Sequence, residues 1–506
     1  MPRLPLLAGS RVPLVNAPED AVVLRPPAPR EAVADVAAAV RDALRFPLSG
    51  PPLEALATPG GRATIVVQTP ELPFPNAVPD PRQAALAAAL DELDRLGIPD
   101  ERTTILVASG LGRRVGQREL EALLSPPRAR AFHGHVESHD CEGDLVELGE
   151  TDGVPLRVNR TLVEADVVLT VTAAETVVDG GAAALLAAGG PESLRAADAP
   201  SLLQTRDSRG WQLALALERL LAARVPLIGA SLVLNHPRTT GVYRAYPFER
   251  TSYEPIARSP LRRLLNVMPG SIRHATLEGL PRELTTVAAF GGPPSVAHAE
   301  ALLRGIALRG TRLERPLDAI VVPIPWEAHH QPREALNPVT VAALGLGLAL
   351  RLWRDAFPVA PGGTAVLMHS LTRNFTPSTA PFRAFLAAAK DGDLTGAEAG
   401  AATDDRLLDA YRRGRACHPL LPYRDWADSR SVLDRLGAVV VAGCRDAQAA
   451  RSLGFVPSHG MGAALTMARG RAPADARIGF LVAPPYPPLL VGGGADVDEP
   501  DQPSPR

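Results

Sequence analysis

The sequence predicts an α/β protein made of two Rossmann-like domains, whose mostly parallel sheets face an interdomain cleft. Short β-rich runs alternate with longer amphipathic segments, as in βαβ units. The alternation occurs twice, and the chain of 506 residues, 46% of them hydrophobic, is long enough for two cores. We therefore expect an N-terminal α/β domain at 1–235, an insertion at 236–285, a C-terminal α/β domain at 286–488 and a disordered tail at 489–506.

The first domain is predicted from β-rich and amphipathic runs that follow one another along the chain. The predicted strands are 63–68, 103–109, 165–172 and 226–234, and the predicted helices are 81–96, 117–124 and 210–223. After His236 this periodicity ends, and the sequence becomes rich in proline, arginine and tyrosine. We interpret this segment as an insertion or an interdomain excursion.

The same alternation returns in the second domain. The predicted helices are 295–308, 339–357, 429–436 and 447–453, and the predicted strands are 317–323, 364–369 and 438–442. The most apolar run, Val339 to Leu350, is shorter than the roughly 20 residues of a membrane span and predicts a buried core helix. The tail after Pro488 is rich in glycine, proline and acidic residues and has no periodic pattern of apolar residues. Such a composition is typical of disorder.

Charge and cysteine content restrict the partners and the compartment. The formal net charge of -2 gives no field that would gather nucleic acid or an anionic membrane, so a small anionic or hydroxy-acid ligand is expected. The cysteines Cys141, Cys417 and Cys444 are odd in number and widely spaced, which argues against a disulfide framework or a zinc ribbon. Prolines interrupt the first apolar residues, so no secretory signal is predicted and we expect a cytoplasmic protein.

Lysine is nearly absent, since Lys390 is the one lysine among 53 basic residues. A Schiff base or a lysine-tethered cofactor therefore has a single possible position. Arginine keeps its charge at any working pH and does not serve as an amine nucleophile.

Histidine is densest at His133, His135 and His139, which Asp140 and Cys141 follow. Imidazole and thiolate bind first-row transition metals, so this cluster is a candidate metal site. Its spacing matches no fixed ligand pattern, and a solvated loop between a helix and a strand is the competing interpretation.

Several motifs in order resemble the nickel-pincer lactate racemase family. HDC at 139–141, followed by DLVELGETDGVPLRVNRTLVEADVVLTV and a later GGAA, resembles the family's HD element, V-x-V-N-R, EAD strand and GG-x-K loop. VVQTPELPFPN at 66–76 resembles its D-x-T-R-P strand end, and ASGLGRRVGQREL at 108–120 its G-T-H-R-P turn. VAPGGTAVLM at 359–368 resembles its P-G-G-T strand, and the resemblance covers most of residues 60–470.

The resemblance implies two α/β domains that close over a nickel-bearing, nicotinate-derived cofactor. In the family this cofactor takes hydride from the carbon of a 2-hydroxy acid and returns it to either face, which is an isomerase reaction. Such chemistry needs a base for the hydroxyl proton, a hydride acceptor and cations for the carboxylate.

The resemblance places the cofactor at strand ends and glycine-rich turns, where backbone N–H groups can bind an anion. The lysine that carries the cofactor in the family aligns with Ala183, so covalent attachment is not possible there. Arg113 matches a family arginine and can hold a carboxylate or phosphate, although an ordinary surface arginine is the competing interpretation. The predicted cofactor-binding residues are Thr69, Gly110, Gly112, Arg113, Gly180, Gly181 and Ala183.

The family's two acid/base histidines have no counterpart in the sequence. One aligns with Gly112, and the other falls near Val177, two residues after Glu175. No histidine occurs between His139 and His236, so the nickel-ligating histidine is missing as well. These losses argue against the family's mechanism.

Replacement catalytic groups are predicted at His329 and His330, which follow a strand, and at His369, which ends another strand. Histidine titrates near neutrality and can act as an acid, a base or a metal ligand. A rigid exposed loop competes at the first two positions, and a hydrogen-bonded core histidine competes at His369.

Three functions stay open on the sequence, and whether the chain is an enzyme is open with them. The first is an isomerase of a 2-hydroxy acid with an altered or non-covalently held cofactor. The second is a catalytically silent paralogue that binds a small anion or a protein partner. The third is a hydrolase or lyase with a histidine-bound metal. Convergence of titratable side chains in the cleft would discriminate between them.

Overall fold

A computed structural model describes residues 3–68, 80–116, 123–279, 282–326, 335–482 and 484–492. The predicted site residues Thr69, His329 and His330 lie outside the described residues, as does most of the predicted helix at 117–124. The described chain forms an α/β fold with two six-stranded sheets, called here the N-terminal and the C-terminal sheet.

The N-terminal sheet is parallel except at one edge. Its strands, in spatial order, are Thr286–Gly292, Leu227–Leu234, Val167–Ala173, Ala63–Gln68, Thr103–Ala108 and His135–Ser138. Helices cover both faces of the sheet. The inner strands are therefore buried on both sides, as residues 63–67 (ATIVV) are, and their sequences are mostly apolar. Four predicted strands of this half are confirmed within two residues at each end.

The C-terminal sheet is parallel throughout. Its strands, in spatial order, are Val456–Ser458, Ala438–Ala442, Val359–Met368, Leu317–Pro323, Ile478–Leu481 and Val22–Leu24. Ala438–Ala442 and Leu317–Pro323 have the predicted bounds, whereas Val359–Met368 begins five residues before the predicted start at 364.

Smaller sheets complete the β-structure of the described residues. They pair Arg3–Pro5 with Leu14–Asn16, Leu145–Thr151 with Val154–Asn159, Arg238–Thr239 with Arg282–Glu283, and Leu489–Val491 with both Thr311–Leu313 and Trp353–Arg354.

Sheet membership crosses the predicted segment boundaries at three places. Thr286–Gly292, placed in the second domain by the sequence, is the antiparallel edge of the N-terminal sheet. Val22–Leu24, placed in the first, pairs with the C-terminal sheet. The tail predicted to be disordered from 489 begins with the strand Leu489–Val491, whose first and last residues are 1% exposed. A three-residue run is too short to show a β-period, so the sequence did not reveal this strand.

The predicted helices at 81–96, 210–223, 295–308 and 447–453 are confirmed within one residue at each end, whereas the helix predicted at 429–436 spans Leu421–Leu433. The α-helices are Val36–Arg45, Leu53–Leu56, Pro81–Arg95, Pro126–Ala131, Arg160–Glu164, Ala182–Ala187, Pro191–Ala196, Arg209–Ala222, Tyr253–Arg258, Pro260–Val267, Gly270–Glu278, Pro294–Arg309, Pro338–Ala342, Ala380–Asp391, Leu394–Ala402, Asp405–Arg412, Leu421–Leu433, Ala447–Ser452 and Met461–Arg469. Tyr253–Arg258, Pro260–Val267 and Gly270–Glu278 lie in the segment predicted to be an insertion.

The predicted helix at 339–357 is shorter and less regular than expected. After Pro338–Ala342 the chain continues as a π-helix, Ala343–Leu348, and a 3-10 turn, Ala349–Arg351. Gly345 brings this segment so close to the sheet that a Cβ there would lie 2.7 Å from Leu367 Cδ2. The segment is buried, as predicted, and no helix of the described residues is long and apolar enough to cross a membrane.

Gly291 is a position where the fold requires glycine, because a methyl group there would overlap the carbonyl of Ala43 in the helix Val36–Arg45. We expect Gly291→Ala to lower the free energy of unfolding by about 1–3 kcal/mol, as overpacking does. Gly462→Ala is the matched control, since a Cβ there meets nothing within 4 Å in the helix Met461–Arg469. The control should gain up to about 1 kcal/mol in chemical denaturation. Equal stabilities for the two variants would contradict this packing.

Candidate functional site

A cleft of about 950 Å³, counting its open mouth, lies at the carboxyl ends of Ala63–Gln68 and Thr103–Ala108. Its opposite wall is formed by the π-helix Ala343–Leu348 and the helix Leu421–Leu433. Ligands of open α/β sheets bind beyond the carboxyl ends of the strands, so this cleft is the first candidate site.

The cleft combines apolar walls with a few polar groups. Leu111, Val178, Leu186, Leu194, Leu344 and Leu348 are among its apolar lining residues. Its polar lining consists of Gln68, Ser109, Asp179, Arg424, Asp425 and Asp428. Several titratable side chains therefore converge in the cleft, and all of them are carboxylates or arginine.

Gly110 and Gly112, predicted to bind cofactor, lie in the turn after Thr103–Ala108 and line the cleft. Their backbone N–H groups are already used within the protein. Gly110 N–H donates to Ala187 O at 3.1 Å, and Gly112 N–H donates to Ser109 O at 2.8 Å. The turn thus offers neither of these two amides to an anion.

Gly180 and Gly181 precede the short helix Ala182–Ala187, and their N–H groups are also used. Gly180 N–H donates to Gln68 Oε1 at 2.8 Å, and Gly181 N–H donates to Thr172 Oγ1 at 3.0 Å. The two neighbouring strand ends therefore supply the acceptors that an anionic ligand would otherwise provide.

The same glycine pair is required by packing against His298. A Cβ on Gly180 would lie 2.6 Å from His298 Cε1, and both glycines have positive φ, +100° and +53°. The His298 ring is fully buried and its Nε2 lies 2.8 Å from Thr176 O. Burial lowers the pKa of His298 to about 4, so the ring is neutral and Nε2 donates to that carbonyl.

Ala183, the position aligned with the family's lysine, lies on a wall of small apolar residues. It is 2% exposed, and all six residues of Ala182–Ala187 are buried. The methyl group offers no nucleophile and no hydrogen bond. Together with the occupied glycine amides, Ala183 shows that the described residues do not fit the nickel-pincer cofactor in the family's manner.

Arg113 is not brought into the cleft. Its Nη1–H donates to the carbonyl of Arg114 at 3.0 Å, and Arg113 is absent from the cleft lining. Arg114 instead lies 3.4 Å from Asp140 and donates to Arg412 O at 2.6 Å, which joins the two halves of the chain.

The histidine cluster at 133–139 is dispersed. His133 and His135 are exposed, whereas His139 is fully buried with Nε2 at 2.9 Å from Gly189 O. Burial lowers the pKa of His139 to about 4. Within the described ranges, no group of three His, Cys, Asp or Glu side chains could hold a metal ion. The candidate metal site at this cluster is therefore not supported.

Cys141 and Glu142 instead form a buried polar junction with the segment that carries Tyr411 and His418. Tyr411 Oη lies 3.0 Å from Cys141 N and 3.1 Å from Cys141 Sγ. His418 Nδ1 accepts from Leu420 N–H, so Nε2 donates to Glu142 Oε1 at 3.0 Å. This hydrogen bond lowers the pKa of Glu142, and burial raises the pKa of the Cys141 thiol.

His369 has a structural contact that accounts for it. Its Nδ1 accepts from Leu371 N–H at 3.0 Å, and burial lowers its pKa to about 4. His369 does not line the cleft, so the prediction of a catalytic His369 gains no support from its position. Lys390 is exposed in the last turn of Ala380–Asp391 and does not line the cleft either.

Sequence reasoning missed a cluster of charges beside the cleft. Arg82 is ion-paired with Asp80 and lies in the field of Glu175 and Asp179. Burial alone would lower the pKa of Arg82, but these three carboxylates raise it. Arg309 is 3% exposed. Burial lowers the pKa of Arg309, and the negative charge of Glu175 acts in the opposite direction. The cluster draws on separate segments, so no local motif reveals it.

The parallel sheets, with a cleft at their strand ends, define the chain as an α/β protein. Residues 10–179 match the family model of the lactate racemase N-terminal domain. The resemblance found in the sequence is therefore confirmed over this part of the chain.

The fold is shared with a solved structure. The lactate racemase apoprotein from Thermoanaerobacterium thermosaccharolyticum is 14% identical, with a TM-score of 0.60 over 97% of this chain and 100% of that chain. A structural-genomics protein from Thermotoga maritima is 12% identical, with a TM-score of 0.47 over 87% of this chain and 95% of that chain. No curated protein matches the chain. At such identities, the first structure shows a shared fold and no more.

The buried histidines predict a loss of stability in mild acid. His139 and His298 are fully buried, and burial lowers the pKa of each to about 4, against 6.5 for an unburied histidine. The unfolded chain binds more protons between these values, so stability is complete above pH 6.5 and falls as the pH approaches 4. We expect a loss at pH 5 on the order of 1–2 kcal/mol per histidine.

Urea denaturation at pH 7 and pH 5 measures this loss. Most carboxylates titrate below this window, since unfolded Asp and Glu have pKa values near 4. Glu218, whose pKa burial raises, opposes the trend. A stability that stays constant from pH 7 to pH 5 would contradict neutral, buried histidines.

Proposed function

We propose that the chain is a divergent lactate racemase-like protein that binds a small hydroxy acid in the cleft and lacks the family's hydride-transfer chemistry. The observation that carries the proposal is the wall at Ala183. It offers no attachment atom, and the glycine amides around it already have protein partners.

The positions aligned with the acid/base histidines support the same proposal. Gly112 has no side chain, and Val177 is fully buried with its N–H bonded to Leu202 O at 2.8 Å. Neither position can move a proton at a substrate hydroxyl group. A racemase that uses the family's mechanism must remove the hydroxyl proton as hydride leaves the carbon that bears the hydroxyl group.

Arg424 supports a carboxylate-bearing ligand. It lines the cleft and is half-buried, and its guanidinium group has no hydrogen-bond or ion-pair partner in the part of the chain that the structure describes. A guanidinium binds a carboxylate through two parallel N–H···O bonds. Asp179 can accept from the hydroxyl group of the same ligand, and Leu344 and Leu348 provide apolar contact for its carbon chain.

The absence of family chemistry is tested by co-expression with the enzymes that make the nickel-pincer cofactor. We expect purified protein with the mass of the unmodified chain and no stoichiometric nickel, because Ala183 offers no attachment atom. Intact-mass and metal analysis measure both. An authentic lactate racemase from the same cells is the positive control. Stoichiometric nickel in this chain would refute the proposal.

Binding in the cleft is tested by titrating the protein with lactate and glycerate in a calorimeter. Ser109→Leu fills the cleft at a hydroxyl group that has no hydrogen-bond partner among the described residues. Arg424→Gln removes the cation, so each variant should weaken binding at least about tenfold. Arg430→Gln is the matched control, because Arg430 is exposed on the same helix and pairs with Asp434.

Both acids should bind the wild type, and neither enantiomer of lactate should be racemised. Undetectable binding, or equal binding by wild type and both cleft variants, would place the ligand site elsewhere.

A further inference from the structure

A second pocket, of about 890 Å³ with its open mouth, adjoins the cleft and is called here the arginine pocket. It lies between residues 195–200 and the helix Leu421–Leu433, and Phe357 contributes to its wall. Five arginines line it: Arg195, Arg209, Arg351, Arg424 and Arg435. Two aspartates, Asp198 and Asp428, are its acidic residues.

Two of the five arginines are neutralised by carboxylates. Arg351 is 3% exposed at its side chain, lies 2.9 Å from Asp428, and donates through Nε to Ala199 O at 2.9 Å. Arg195 makes two hydrogen bonds to the carboxylate of Glu398, at 2.5 and 3.2 Å. These pairs hold the pocket walls together and add no net charge.

The other three, Arg209, Arg424 and Arg435, have no carboxylate within ion-pair distance in the described parts of the chain. Asp428 pairs with Arg351, so Asp198 is the one aspartate of the lining whose negative charge offsets the charges of these three arginines. The pocket therefore has an excess of positive charge, although the chain has a formal charge of -2. Such a local excess attracts anions.

A ring contact holds one of these cations in place, and a helix end adds to the positive field near another. The Arg435 guanidinium lies over the Phe357 ring, 5.3 Å from its centroid, which restricts its conformations. Arg209 is the first residue of the 14-residue helix Arg209–Ala222, whose amino end also favours negative charge. The three arginines thus come from both walls of the pocket.

We propose that the arginine pocket is a binding site for a phosphorylated small molecule. A phosphate or diphosphate group carries several charges and accepts hydrogen bonds from several guanidinium groups at once. A single carboxylate would neutralise one of the three arginines. This site is distinct from the hydroxy-acid site proposed in the cleft, although Arg424 and Asp428 border both.

Calorimetric titration with inorganic pyrophosphate at low ionic strength tests the site. We expect one pyrophosphate per chain, with affinity that falls as chloride is added because salt screens exposed charges. Arg209→Gln and Arg435→Gln should each weaken binding at least about fivefold, since each removes one charge from the pocket. Both side chains are exposed, so the variants should keep the wild-type melting temperature.

Two further variants test whether pyrophosphate binds in this pocket and not elsewhere on the molecule. Arg219→Gln, on the same helix as Arg209 but outside the pocket, should bind pyrophosphate like the wild type. Ser109→Leu should lose hydroxy-acid binding and keep pyrophosphate binding. Absence of pyrophosphate binding by the wild type would overturn the proposal, as would unchanged affinity in both Arg209→Gln and Arg435→Gln. Failure of lactate to bind would overturn the cleft proposal alone.

Discussion

The cleft depends on polar junctions that tie the two halves of the chain together on either side of it. Tyr411 bonds to Cys141 at one junction, and Arg351 bonds to Ala199 at the other. Because these groups are buried, separating them would leave unsatisfied donors and acceptors, which costs about 1–3 kcal/mol for each. These junctions hold the two walls of the cleft together, and the residues that face the cleft determine its chemistry.

The glycine amides around the cleft make internal contacts. In a nucleotide-binding turn the amides after parallel strands point to an anion. Here Gln68 and Thr172 accept those hydrogen bonds, and His298 packs against Gly180 and Gly181. The glycines that resemble a cofactor loop are thus explained by positive φ and close packing. The cations available to a ligand lie instead around Arg424, at the border of the cleft and the arginine pocket.

The strands and long helices could be predicted from sequence because periodicity is local, and Ala63–Gln68 was predicted with its observed bounds. The site was harder, because its contacts are not local. His298 and Thr176 are 122 residues apart, and Glu142 and His418 are 276 apart. The sequence predicted Ala183 at the position of the family's lysine, but it carried no signal that the neighbouring amides were occupied. The π-helix Ala343–Leu348 was also missed, since its apolar run resembles an ordinary helix.

We infer that the wall around Ala183 accepts a small ligand and no anchored nickel cofactor. A crystal structure of the protein, purified from cells that make the cofactor and soaked with lactate, is the decisive measurement. We predict density for lactate with its carboxylate at Arg424, and Gly180 and Gly181 still bonded to Gln68 and Thr172. Density for a nickel-bearing nucleotide against Ala183, with those two hydrogen bonds broken, would contradict the claim.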